Sequence, residues 1–147
     1  MSSIRASAPA MENAFDPIEK LEEMGFRKAA DWYVEAGALE CQFLEHATAK
    51  NILYAFVADR LVLYVGKSVR SLKQRMYGYR RPSRTQSTNI KGNRLILEAL
   101  VEGRAVAVYA LPDNGLLYYG GFHVNLAAGL EDSLVAALKP AWNKLGI

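Results

Sequence analysis

Two apolar runs, Ile52 to Val57 and Leu61 to Val65, are separated only by Ala58-Asp59-Arg60. Runs this short, with a turn between them, are too brief for a pair of helices and read as a tight β-hairpin. Both faces of each run are apolar, which requires a sheet covered on both sides. Strict alternation places Tyr54 on one side with Ile52 and Phe56, and Tyr64 with Val62. Taken alone, both tyrosines are ordinary strand aromatics.

The hairpin runs into a basic segment. Gly66 ends the second strand, and Val69, Leu72 and Met76 then recur at helical spacing, predicting a helix over 69–79 with Arg75 at the edge of its apolar stripe. Lys67 to Arg94 holds nine of the 18 basic residues and no Asp or Glu, so the remainder of the chain is net acidic. A body of one sign carrying a stripe of the other is what a polyphosphate-binding surface requires, although a merely solvated face also fits. Within the stripe, residues 80–89 (RRPSRTQSTN) read as a polar loop whose arginines can hold phosphates bidentately.

The rest of the chain supplies elements to pack on the hairpin. Residues 1–14 are small and polar and read as a disordered leader. Asp16-Pro17 opens a short helix that Gly25 closes, and residues 31–46 read as a small hairpin about Ala36-Gly37. Together they form an N-terminal addition over 15–50, expected to act as a packing cap. Downstream, a helix is expected over 90–102, a third strand over 104–111, a loop rich in Gly and aromatics over 112–124, and a last helix capped by Asn125. On that helix Glu131 neighbours Leu134, Val135 and Leu138, which makes it the carboxylate nearest the buried face. Tyr118 and Tyr119 could stack on bases, but packing beneath a long loop is the favoured reading. His123 and His46 have no partner at diagnostic spacing, and the single cysteine, Cys41, reads as a small buried hydrophobe. No apolar run approaches the length of a membrane span and the first residues lack the apolar centre of a signal peptide, so a cytoplasmic, single-domain protein is expected.

Several short patterns occur in one order: Leu53-Tyr54, then Tyr64-Val65-Gly66-Lys67 ten residues on, Leu72-x-x-Arg75, a helical Glu131, and Lys139-Pro140 followed by Asn143. In this order they resemble the signature of the GIY-YIG nuclease family. The details are closest to the catalytic domain of the bacterial excision-repair incision subunit and to the family's restriction endonucleases. The first motif lacks its glycine, Tyr64 and Arg75 stand eleven residues apart, and Tyr79 occupies a place where many members have histidine. The resemblance implies an α+β fold, a small antiparallel sheet with three core strands flanked by helices, over residues 51–147.

It also implies a metal-dependent DNA endonuclease, with restriction, repair and mobile-element roles all left open. Glu131 would be the sole protein ligand of one Mg²⁺ or Mn²⁺ ion. Arg75 would stabilise transition-state charge. Tyr54 is the favoured base, with Tyr64 its hydrogen-bonding partner, and Lys67 and Arg75 would lower the phenol pKa. Tyr79 would stand in for the histidine. Arg80, Arg81, Arg84, Asn89 and Lys91 would hold DNA phosphates, and Asn143 would hold phosphate or brace the Glu131 helix. A homodimer is one way for so small a chain to cut both strands. The alternative is a catalytically silent nucleic-acid-binding module of the same fold.

Overall fold

A computed structural model describes residues 16–147, so the expected leader lies outside the described residues. Its centre is the predicted hairpin, β3 (Ile52–Ala58) and β4 (Leu61–Ser68). Asp59 and Arg60 form the two-residue turn, both at positive φ (54° and 63°), the geometry that matches the twist of paired strands. The left-handed backbone is unfavourable for side chains other than Gly, and here each of the two finds an anchor. Asp59 accepts from Arg104 at 2.7 Å, while Arg60 pairs with Asp16.

Every residue of β3 is buried, as a central strand covered on both faces must be. β5 (Ala107–Pro112) lies along its other side, antiparallel. The sheet does not stop at these three core strands. β1 (Arg27–Glu35) and β2 (Ala38–Phe43) form the expected N-terminal hairpin, and β1 pairs with β5, extending the sheet to five antiparallel strands in the order β2-β1-β5-β3-β4. Residues far apart in sequence meet at this joint. No periodicity in either segment announces it.

The helices cover the two faces in pairs. α1 (Pro17–Met24) is capped by the Asp16 carboxylate and ended by Gly25 at φ 112°. It packs with α4 (Leu126–Leu138) over an aliphatic face made of Leu53, Ala55, Val57, Val62 and Val65. α2 (Leu72–Arg80) and α3 (Ser87–Val101) cover the opposite face, where Tyr54, Phe56, Tyr64, Met76, Tyr79 and Trp32 meet. Phe56 touches Trp32, Tyr54, Tyr64, Tyr79 and Trp142 with ring centroids 5.3–6.4 Å apart. Truncating such a residue to alanine typically removes about 3–5 kcal/mol.

Three local expectations change. α2 begins at Leu72 rather than 69, because Ser71 and Gln74 form a reciprocal capping box, and Val69 is left exposed before it. α3 begins at Ser87, so Asn89 lies in a helical first turn and is buried instead of standing in the loop. In β4 the pairing slips between Phe56↔Tyr64 and Val57↔Val62, leaving Leu63 as an extra residue. This bulge turns Tyr64 onto the same face as Tyr54 and leaves Val62 on the other, against the strict alternation.

Candidate active site

Strand β3 presents Tyr54 to the aromatic face, and its cross-strand neighbour in β4 is Gly66. That glycine is there for space. A Cβ at residue 66 would lie 2.7 Å from Tyr54 Oη and Cζ and 2.7 Å from the Tyr64 ring. Without it, the two rings lean together at a centroid distance of 6.0 Å. The third phenol comes from α2. Tyr79 Oη is 2.8 Å from Tyr54 Oη, and Gly92 of α3 makes room for its ring, which a Cβ there would meet at 2.6 Å.

Arg75 is one helical turn before Tyr79 and lies against the cluster. Its Nη2 donates to Tyr79 Oη at 2.9 Å, its Nη1 donates to Asn89 Oδ1 at 2.9 Å, and its guanidinium carbon stands 4.3 Å from the centre of the Tyr79 ring. Asn89 is in turn held by Gln86, whose side-chain oxygen accepts from its Nδ2 at 3.0 Å. Two of the five guanidinium donors are thus used for orientation.

Burial governs the electrostatics of the phenols. Tyr54 is wholly buried, and desolvation raises its pKa far above the ordinary tyrosine value, as it does for Tyr79. Tyr64 is raised too, by burial first and, among lesser influences, by the charge of Glu131. Arg75 acts in the expected lowering direction on all three, but desolvation outweighs it. The expected activation of Tyr54 as a base is therefore corrected: the resting phenols are neutral. For Arg75 itself burial is the largest influence and opposes the charge, yet its pKa is raised overall, and the guanidinium stays protonated.

Glu131 belongs to α4, on the opposite face of the sheet. β4 is an edge strand, and Glu131 lies near enough to it for its charge to act on the Tyr64 phenol. Lys67 Nζ lies 3.5 Å from Glu131 Oε1, and the Glu131 side chain is 21% exposed, enough for solvent or a phosphate to reach it. Among the described residues no cluster of three or more His, Cys, Asp or Glu could hold a metal. A lone, partly exposed carboxylate fits a hard cation that keeps most of its coordination for water and phosphate oxygens, and does not fit a closed zinc-type cage.

The other anticipated residues divide. Arg84 is exposed beyond α2 and Lys91 half-buried on α3. Arg80 and Arg81 both engage Glu40 of β2, Arg81 at 3.0 Å, and these contacts hold the Glu40 carboxyl below its usual range, Arg81 first among them. The stretch without acids in sequence thus has one in space. Asn143 uses both ends of its amide on β4, accepting from Val65 N at 2.9 Å and donating to Val65 O at 3.0 Å, so it braces the strand edge beside Gly66. His123 pairs with Asp113 at 3.1 Å and His46 with Glu45 at 3.0 Å. Burial pushes the Cys41 thiol up to about 12, in keeping with an inert packing role. One feature the motifs do not mark is a cavity of about 330 Å³ on the outer face of α2, lined by Arg70, Lys73, Gln74, Tyr77 and Arg80. Its only signal in sequence is the helical spacing of Lys73, Tyr77 and Arg80.

No protein-family model matches the sequence, and no curated protein matches it significantly. Solved structures do. The fold is similar to that of bacteriophage T4 EndoII, in a variant with a glutamate-to-alanine substitution, with a TM-score of 0.65 at 23% identity over 88% of this chain and 99% of that one. It is also similar to the restriction endonuclease HPY188I in complex with product DNA, with a TM-score of 0.51 at 16% identity over 93% of this chain and 80% of that one. The likeness establishes the α+β architecture as one that nucleases use.

Proposed function

We propose that this chain is a DNA endonuclease of the GIY-YIG type, hydrolysing phosphodiester bonds with one divalent ion, Mg²⁺ or Mn²⁺, held by Glu131. The observation that carries the reading is the convergence of a permanently charged Arg75 and three phenols beneath Gly66, with Glu131 and Lys67 at the rim of the same strand edge. The two structural neighbours support it, since both are nucleases and one is bound to product DNA.

Arg75 would receive the scissile phosphate with the donors that Tyr79 and Asn89 leave free, and its charge would oppose the negative charge that grows in the transition state. When bound at Glu131, the ion would add Lewis acidity toward the phosphate and lower the pKa of bound water. Tyr64, the phenol on which Glu131 acts, would orient the attacking water through its hydroxyl, while the Tyr54–Tyr79 hydrogen bond would keep Arg75 in register. Lys67 adds a second cation at the rim. Lys73 on the outer face of α2, Arg70 just before that helix and Arg84 in the loop beyond it would carry flanking phosphates, with affinity falling steeply as salt rises. One such centre per chain cuts one strand at a time, so a double-strand cut would take either a second copy or a second cutting event.

Plasmid, branched and single-stranded DNA, each incubated with and without Mg²⁺, test the reading. Cleavage that depends on the metal is expected. Tight binding without cutting of any substrate would instead identify a silent DNA-binding module.

A further inference from the structure

Between β5 and α4 stands a small second sheet, β6 (Tyr118–Tyr119) paired with β7 (Phe122–His123). Gly120 and Gly121, at φ 59° and 83°, make its two-residue turn. Leu116, Leu117, Tyr118, Tyr119 and Phe122 are 46–83% exposed, so the expected packing beneath a loop is not found. Five neighbouring apolar side chains left in water on so small a ribbon mark a contact surface rather than a core.

Its position narrows the partner. β5 ends at Pro112, opposite Ile52, which is itself opposite Ser68, the residue after Lys67. The hairpin therefore leaves the sheet at the end where Lys67 lies. Its other root, Asn125, precedes Glu131 by six residues, about 9 Å along a helix. From Asn114 to Leu130 there is no Asp, Glu, Lys or Arg, and His123 is tied to Asp113. A ribbon free of acids does not repel phosphate, its two-strand width is what a DNA groove admits, and an aromatic tip offers π-faces to any base.

We infer that the β6–β7 hairpin is a base-stacking wedge, which inserts Tyr119 and Phe122 against nucleobases of the DNA next to the scissile phosphate. The inference rests on the endonuclease reading. Insertion would open a base step and favour mismatched or bulged DNA, in which unstacking is already partly done.

DNA with thymine replaced by 5-iodouracil, bound without divalent metal and irradiated, reports which side chains stack on bases. Cross-links to residues 116–123 are expected. The double variant Tyr119→Ser/Phe122→Ser, altered only at exposed positions, should lose them, bind mismatched DNA about tenfold more weakly and sediment like the parent. A parent that cuts DNA but cross-links only elsewhere overturns the wedge and leaves the endonuclease intact. A variant that keeps its base cross-links but falls from dimer to monomer shows a self-association surface and likewise overturns the wedge. Parent protein that neither binds nor cuts any DNA overturns both readings.

Discussion

The two faces of the β3–β4 hairpin are buried alike but built from different chemistry. One is lined by hydrocarbon, Leu53, Ala55, Val57, Val62 and Val65 beneath α1 and α4, with Lys67 opposite Leu53 at its end. The other holds three phenols, and against them a guanidinium and an amide that satisfy one another. The aliphatic face tolerates exchange of one hydrocarbon for another of similar volume. The polar face does not, because each group removed leaves a buried partner unsatisfied. Stability is shared between the faces; the proposed chemistry is built on the phenol face and draws only Glu131 and Lys67 from the other.

The largest departure between the faces is expected at Arg75. Arg75→Ala should reduce cleavage by about 10²–10³-fold, measured as initial rate on plasmid, and Arg75→Lys should not restore it, since a point charge cannot hold Tyr79, Asn89 and a phosphate together. On the aliphatic face Leu53→Ala should lower unfolding stability by about 2–5 kcal/mol in urea titration yet leave the cleavage rate of the folded fraction unchanged. Equal loss of rate at Leu53 would erase the division. Between these lies Gly66→Ala, whose methyl group would meet both tyrosine rings at 2.7 Å. It should reduce stability by about 1–3 kcal/mol and also slow cleavage by separating the phenols.

The smallest effect is in pH. Burial raises the phenol pKa values, so the neutral forms favour the folded state. Their contribution to stability is full below the ordinary tyrosine value of about 10 and is lost as pH rises through and beyond it. Thermal melts should therefore hold steady across neutral pH, so far as these groups decide, and decline above about pH 10. Loss of the phenol contribution near neutrality would mean that the cations, not burial, govern them.

Much of this division was legible from residues alone. The hairpin, the caps at Asp16 and Asn125, Arg75 turned toward the sheet and Glu131 on the buried side of its helix all follow from spacing and end signals. What escaped depends on contacts between distant segments. The β4 bulge, which carries Tyr64 over to Tyr54, is decided by pairing rather than by alternation. Asn89 looked like a loop hydrogen-bonder until α3 began early enough to bury it against Arg75. Arg80 and Arg81 looked free because Glu40 is forty residues from the first of them in sequence. The phenol pKa shift was expected with the wrong sign, because charges are visible in a sequence and desolvation is not.

The central claim is that a carboxylate from one face completes a site built on the other. Glu131→Ala, assayed for Mg²⁺-dependent cleavage of plasmid alongside DNA affinity under the same conditions, tests it most directly. The account predicts that the variant binds DNA at least as well as the parent, having lost one negative charge beside Lys67, and no longer cuts it. A variant that cuts at the parental rate would contradict the claim and place the metal elsewhere.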